Sequence, residues 1–440
     1  MPKVLHTADW HLGKHLKRFD LIEPQREALE RLLAVIDDER PDLVALAGDV
    51  FDVGERPTLA ALRAWDWVAE EIVRRRPGGL PLVVIPGNHD HPERLAVNAR
   101  LSRDAGLHLR HELARAHEPL RLAGLEVFAL PFHKPARVRA LAAREARAGD
   151  DAGEASAADA AGAIGDFDYH AAMEWMVRRA LGGSAGDRPR FLLAHAFVEG
   201  AGEEGAGEDP VMVGGAGAVA AHAFDGFDYV ALGHLHGPRA LPGRPWVRYA
   251  GSLYPCSFDE SGERTVAIAE WPEGAPAGTA PQVRTRPLTV RRRVRAVRDL
   301  AFDEVIRRGE AARAAGDASA DDYLLASVTD RTPIAHAQAR LTEVHPHGVF
   351  EQRRLDVVLD DGPELPDVDE ASVEEVFLAF FRHVLGDDER PTEAEAEILR
   401  AALADLHAPD ADGAADGAAH GAADGPAAAD PATSGGGGAA

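Results

Sequence analysis

Through the first 270 residues, short and almost wholly apolar runs alternate with longer amphipathic ones. The short runs are Lys3 to Ala8 (KVLHTA), Leu43 to Ala47, Leu82 to Ile85, Val127 to Leu130, Phe191 to Ala194 and Tyr229 to Leu232, and each reads as a buried strand. Between them, Leu29, Leu32, Leu33 and Ile36 recur at helical spacing before Pro41, and Thr58 to Arg75 is a second helical stretch closed by a Pro-Gly-Gly turn. Tyr169 to Leu181 is a third. Strand, helix, strand predicts an α/β fold with a parallel sheet.

After Pro281 the pattern changes. Tyr323 to Thr329 and Arg354 to Leu359 read as strands, with a helix from Pro333 to Leu341 between them, which predicts a small α+β domain. Ser372 to Glu375 is a capping box followed by Val373, Val376, Phe377, Phe380, Phe381, Val384 and Leu385 on one helical face, ending at Gly386. A second capping box, Thr392 to Glu395, opens a helix striped by Ile398, Leu399, Ala402 and Leu406. Three segments offer little to a core: Ala142 to Gly165 reads as a surface insertion, Gly200 to Gly207 as a flexible loop, and Ala408 to Ala440 as a disordered tail. The expected domains are therefore 1–280, 281–365, 366–407 and the tail from 408 to 440.

A chain of 440 residues, 45% hydrophobic, can bury a substantial core. No apolar run approaches the ~20 residues that span a bilayer, and no charged-then-apolar segment precedes the first strand, so a cytoplasmic protein is expected. The single cysteine, Cys256, can form no intramolecular disulfide and reads as a small buried hydrophobe. A formal charge of −25 excludes a generally basic nucleic-acid coat, so any DNA contact must use a local basic surface or a partner's. ATP, too, must be a partner's ligand: Gly13-Lys14 lacks the first glycine of a phosphate loop, and His15 stands where its hydroxyl should be.

The chemistry sits where the strands stop. Asp9 and His11 follow the first strand at alternate positions, and so face one side. Gly48-Asp49-Val50-Phe51-Asp52 follows the second. There Asp49 offers two oxygens, and Asp52 either orients its neighbours or caps the next turn. Pro86 to Asp90 follows the third, bringing the neutral carbonyl of Asn88 and the imidazole of His89, which could face a substrate phosphate. His195 ends one later strand, and His234 and His236 end another; His6, His108 and His347 read as surface or packing residues. Asp9, His11, Asp49, Asn88, His195, His234 and His236 are seven oxygen or nitrogen donors that divide into two sets of four if Asp49 is shared. Without a thiolate the set suits manganese, iron or zinc rather than calcium, and a two-metal site implies phosphoester hydrolysis.

DWH, GDVFD, GNHD, the isolated His195 and GHLH, in this order, resemble the five motifs of the calcineurin-like metallophosphoesterases. Their details, HTADWHLGK, GDVFDVG, HAFVEG and GHLHGP followed by YAGSLYPCSFDE, resemble the SbcD nucleases within that superfamily. The resemblance implies a β-sandwich flanked by helices, with a small capping domain and a C-terminal helix-loop-helix. It implies two manganese ions, one held by Asp9, His11, Asp49 and His236 and the other by Asp49, Asn88, His195 and His234. His89 would be the catalytic imidazole, stabilising the transition state or protonating the leaving oxygen. The implied activity is cleavage of double-stranded DNA ends and hairpins, as 3'-5' exonuclease and single-strand endonuclease. The implied setting is DNA repair, recombination and replication, as a homodimer within a heterotetramer with a coiled-coil ATPase of the SbcC kind.

Two further surfaces follow. Arg284, Arg286, Arg291, Arg292, Arg293, Arg295 and Arg298 concentrate charge on an acidic chain. Such a run is either a solvated strand face or a phosphate-backbone contact, and its position beside a phosphodiesterase domain favours the contact, through Arg291, Arg292, Arg293 and Arg295. Val376, Phe377, Phe380 and Phe381 either pack on the cap or, as the resemblance favours, dock on the ATPase. Two rivals share the sequence: a small-molecule (cyclic) nucleotide phosphodiesterase with the same metal site, and a scaffold whose site has decayed.

Overall fold

The computed structural model describes residues 1–149, 167–201, 217–260, 262–330 and 332–352, with 392, 393, 397 and 398. The chain divides into two units, Met1–Arg353 and Arg354–Ala440, and every element below belongs to the first.

The chain opens with β1 (Lys3–Thr7), α1 (Ile22–Glu39), β2 (Leu43–Ala47), α2 (Leu59–Arg74), β3 (Leu82–Ile85) and β4 (Leu107–Leu109). It continues with β5 (Leu120–Leu122), β6 (Leu125–Leu130), α3 (Pro135–Gly149), α4 (Tyr169–Gly182), β7 (Arg190–His195) and β8 (Tyr229–Gly233). Then come β9 (Arg239–Leu241), β10 (Arg244–Tyr249), β11 (Thr265–Glu270) and β12 (Gln282–Pro287). A six-stranded sheet has the order β12-β11-β1-β2-β3-β4, and a second has the order β9-β10-β8-β7-β6-β5. Their middles are parallel: Val4 pairs with Leu43, Val44 with Leu82, Phe128 with Leu192 and Val230 with Leu192.

The apolar runs are continuous because each strand is covered twice. In β2, Leu43, Ala45 and Ala47 meet Phe191, Leu193, Tyr229 and Ala231 of the other sheet, while Val44 and Leu46 pack in the cluster that holds Leu29, Leu32 and Ile36 of α1 and Val68 and Ile72 of α2. The second sheet's outer face packs likewise with Val138 of α3 and Met173, Met176 and Val177 of α4. The result is a helix, sheet, sheet, helix sandwich in which each fully buried aliphatic side chain contributes roughly 1.5–3 kcal/mol. His6 lies between the sheets, its Nδ1 3.1 Å from the Tyr229 hydroxyl and its Nε2 3.1 Å from the Leu232 carbonyl. Burial lowers its pKa to about 3.

One expectation is corrected within the sandwich. The segment from Ala142 was expected to be a surface insertion, but α3 runs on to Gly149 and buries Ala142 and Ala143. Alanine is the strongest helix former, and its small side chain lets the helix sit close. The segment from 150 to 166 lies outside the described residues.

A third sheet follows: β13 (Val294–Leu300), α5 (Phe302–Ala314), β14 (Tyr323–Val328), α6 (Ala337–Val344) and β15 (Gly348–Gln352), with strand order β13-β14-β15. All three strands run parallel, so the described part of this region is βαβαβ rather than α+β. Phe302, Val305, Leu324, Ala326, Leu341 and Val344 form its own core, while Tyr323 and Leu325 join the cluster around α1. The helix expected from Pro333 begins instead at Ala337, after His336 at φ 54°, outside the helical region. The strand expected at Arg354 to Leu359, both amphipathic helices with Val376, Phe377, Phe380 and Phe381, the loop from 202 on, and the tail lie outside the described residues but for the four isolated positions. Among the described residues, no helix is long and apolar enough to cross a membrane.

Candidate metal centre

The parallel strands of both sheets end at one place. β1 delivers Asp9 and His11, β2 Asp49, β3 Asn88 and His89, β7 His195, and β8 His234 and His236. Asp9 (φ 52°), His11 (φ 44°), Asp49 (φ 52°) and His234 (φ 106°) all adopt left-handed backbone, a strain of roughly 1–3 kcal/mol each that surrounding bonds must offset. Asp9 N donates to Gly48 O at 3.0 Å, His11 N to Asp49 O at 2.9 Å, and His234 N to Asp9 Oδ1 at 2.9 Å. The glycines before the motifs are needed for close approach: a Cβ on Gly87 would fall on Asp49 Oδ1, and one on Gly233 on the Ala47 carbonyl.

All seven expected donors meet there. Asp49 Oδ1 accepts from His89 N at 2.9 Å, and Oδ2 stands between two imidazoles, 3.5 Å from His11 Nε2 and 3.4 Å from His195 Nε2. Asn88 Oδ1 lies 2.9 Å from His195 Nε2 and 3.1 Å from His234 Nδ1. His11 Nε2 and His236 Nε2 are 3.0 Å apart. The far sides of two rings fix their tautomers: His195 Nδ1 donates to Ala47 O at 2.8 Å, and His236 Nδ1 to Glu260 Oε1 at 2.7 Å. Each Nε2 therefore turns a lone pair inward, towards atoms that are mostly acceptors themselves. Asp9 Oδ2 is buried with no hydrogen-bond partner among the described residues. Lone pairs opposed in this way repel unless cations lie among them, so the donor set fits divalent metals.

Charge follows from the same crowding. Burial lowers the pKa of His11 and of His195, and takes that of His234 down to about 3. Burial works against ionising Asp49, but His195, His11 and His89 override it and hold the carboxyl below the usual range. Asp9 is pushed up by burial and then by Asp49.

Three supporting residues carried no metal or catalytic role in the sequence reading. Glu260, in the SFDE segment, bonds His236 while its Oε2 accepts from Ser252 Oγ and Arg264 Nη1, both at 3.1 Å. Asp90 accepts from Val50 N, Phe51 N and Gly87 N at 2.9–3.0 Å, locking two motif loops together; burial, then Asp49, raises its pKa to about 7. Asp52, expected either to orient neighbours or to cap, lies 3.6 Å from His11 Nδ1 and 3.2 Å from Lys14 Nζ. Its carbonyl accepts from His89 Nδ1 at 2.9 Å, and that half-buried ring stands edge-on to His11 with centroids 4.8 Å apart. Cys256 is buried, as read, within 4.8 Å of ring nitrogens of His11 and His236.

The arginine run is largely engaged by the chain's own acids. Arg284 and Arg286 both pair with Glu39, Arg291 and Arg292 with Asp321, Arg295 with Asp322, and Arg298 with Asp259. Arg293 is exposed and has no ion pair among the described residues.

Compared with known proteins, residues 2–238 match the calcineurin-like phosphoesterase family, more than half of the chain. The chain belongs to the calcineurin-like phosphoesterases. It is 34% identical over 282 residues to the SbcD component of the SbcCD nuclease of Bacillus subtilis, covering 62% of this chain and 68% of that one. To the protein of the same name from Staphylococcus epidermidis it is 30% identical over 258 residues, covering 59% of this chain and 63% of the relative. The chain thus matches about two thirds of each relative's length. A dimetal phosphatase from Danio rerio superposes with a TM-score of 0.37 at 12% identity, covering 66% of this phosphoesterase and 96% of its own chain.

Proposed function

We propose that this phosphoesterase is the metal-dependent DNA nuclease component of an ATPase–nuclease complex. It would act as a 3'-5' exonuclease on double-stranded ends and as an endonuclease on single strands and hairpins, in repair, recombination and replication. The observation that carries the reading is Asp49 Oδ2 at 3.4–3.5 Å from an imidazole nitrogen on either side. Asp9, His11, Asp49 and His236 would hold one divalent ion, and Asp49, Asn88, His195 and His234 the other. Manganese suits their mixed oxygen and imidazole chemistry.

When bound, such ions lower the pKa of water and neutralise charge on a phosphoryl group. Around them this chain's residues orient and move protons. His195 and His236 are held in one tautomer by Ala47 and Glu260, and Asp49 keeps its charge. His89, anchored through Nδ1, directs Nε2 to the phosphodiester, where as imidazolium it would protonate the departing ester oxygen.

The partners proposed are DNA ends and hairpins, a coiled-coil ATPase of the SbcC kind and a second copy of this chain in a heterotetramer. The names of the two bacterial relatives support a nuclease component. One observation favours the rival small-molecule phosphodiesterase: six of the seven arginines in the basic run are paired internally. Manganese-dependent cleavage of a labelled hairpin duplex, with and without the ATPase, beside hydrolysis of bis-p-nitrophenyl phosphate, separates the two. The nuclease reading expects both substrates to be cut; cleavage of the small ester alone, even with the ATPase present, would favour the rival.

A further inference from the structure

At the edge of the first sheet lies a cavity of about 420 Å³ whose wall carries Arg100, Arg103, Arg110, Arg115, His108 and His111. Four guanidiniums gather around it on a chain with a formal charge of −25. They are only partly neutralised. Arg115 pairs with Glu118 at 2.7 Å and approaches Glu112 at 3.8 Å. Arg110 donates to two neutral carbonyls, of Arg115 and Glu118, at 2.7 and 2.9 Å. Among the described residues no carboxylate forms an ion pair with Arg100, Arg103 or Arg110. Counting Glu112 and Glu118 against the four arginines leaves two positive charges.

The cavity also shows unsatisfied polarity. His108 Nδ1 is buried with no hydrogen-bond partner among the described residues. Asn98, on the cavity wall, is held at φ 63° at the head of the turn that carries Arg100, and its side chain makes no capping bond there. Burial, and then the neighbouring guanidinium of Arg115, depresses the pKa of Arg110. Like charges gathered in a concave site, with polar atoms left over, suit an anion with several acceptor oxygens.

The topology says which anion. β4 lies parallel to β3, Leu109 opposite Val84, and Arg110 N donates to Val84 O at 2.8 Å. Arg110 and His111 therefore leave the sheet at the end where β3 delivers Asn88 and His89. One strand over (~4.8 Å) and three or four residues along (~3.3 Å each) put Arg110 and His111 on the order of 10–15 Å from Asn88 and His89, while Arg100 and Arg103 stand further along the cavity, on the segment that enters β4 at its other end. The first of these spans is about three to four nucleotides of duplex rise.

We infer that this cavity binds backbone phosphates of the DNA whose scissile bond lies at the metal centre, with Arg100 and Arg103 supplying the free charges. The inference rests on the nuclease reading, and adds to it a positioning site that the internally paired arginine run does not provide. Such contacts fix register on the duplex without reading sequence.

The test uses the full chain with Arg100→Glu/Arg103→Glu, both exposed residues remote from the donor set. Three readouts are compared with the wild type: bis-p-nitrophenyl phosphate hydrolysis in manganese, duplex affinity by fluorescence anisotropy without cleavage, and the salt dependence of that affinity. The expected result is unchanged ester hydrolysis, at least about tenfold weaker duplex binding, and a log–log salt slope reduced by about one to two. Arg100→Lys/Arg103→Lys should retain most of the affinity. Unchanged duplex affinity and slope in the Glu variant overturn the inference. So does a wild type whose cavity binds inorganic phosphate, lost in the Glu variant, while duplex binding is indifferent to the substitutions. A wild type that hydrolyses neither ester nor DNA in manganese would instead sink the nuclease reading.

Discussion

Glu260 Oε1 lies 2.7 Å from His236 Nδ1, so a buried carboxylate fixes which nitrogen of that ring faces the metal centre. A carboxylate behind a ligating imidazole sets its orientation and raises its basicity. Glu260→Gln keeps the size but weakens both effects. Metal affinity is expected to fall by ~10–100-fold, with activity recovered at higher manganese, as a metal titration of ester hydrolysis would show. An unchanged titration midpoint would remove Glu260 from this role.

His89 N donates to Asp49 Oδ1 at 2.9 Å, while its ring is tied through Nδ1 to the Asp52 carbonyl and stands edge-on to His11 with centroids 4.8 Å apart. His89→Gln should therefore leave metal content intact and lower turnover by roughly 10²–10⁴-fold, the usual scale of a lost general acid. Elemental analysis beside single-turnover cleavage checks both halves. Loss of metal in the variant would mean the ring is a ligand.

Gly87 tests the tightness of the approach between two motif loops. A Cβ there would collide with Asp49 Oδ1, so Gly87→Ala must displace that carboxylate. Metal binding is expected to weaken sharply with the circular dichroism spectrum retained; a variant that binds metal as the wild type does would show that Asp49 can move without consequence.

His6 gives a pH dependence outside the donor set. Its pKa, lowered to about 3 by burial, lies below the 6.5 of an unfolded histidine, so below pH 6.5 the unfolded chain takes up a proton that the folded chain refuses. Stability should fall as pH drops from 6.5 towards 3, with His6 contributing about 1.4 kcal/mol per pH unit. Urea unfolding at saturating manganese between pH 7 and 5 should give His6→Gln a lower stability at pH 7 but a flatter decline. Equal slopes would contradict the assignment.

The strand ends that carry Asp9, Asp49, Asn88, His195 and His234 were legible because buried parallel strands leave unbroken apolar runs, and each stops at its polar residue. Glu260 was not, since it comes from the loop before β11, 24 residues beyond the imidazole it holds, with no periodicity to mark it. The arginine run read as free charge because its acids, Glu39, Asp321, Asp322 and Asp259, are distant or unremarkable in sequence and meet it only on folding. α3 was missed where alanine supplied helix propensity without an apolar stripe.

The most direct test of the shared Asp49 is metal stoichiometry. Wild-type protein and Asp49→Asn, each loaded with manganese and freed of excess, would be analysed for manganese per chain, with circular dichroism confirming the fold. The account predicts two ions in the wild type and fewer than one in the variant; one ion or none in the wild type, or two retained in Asp49→Asn, would contradict it.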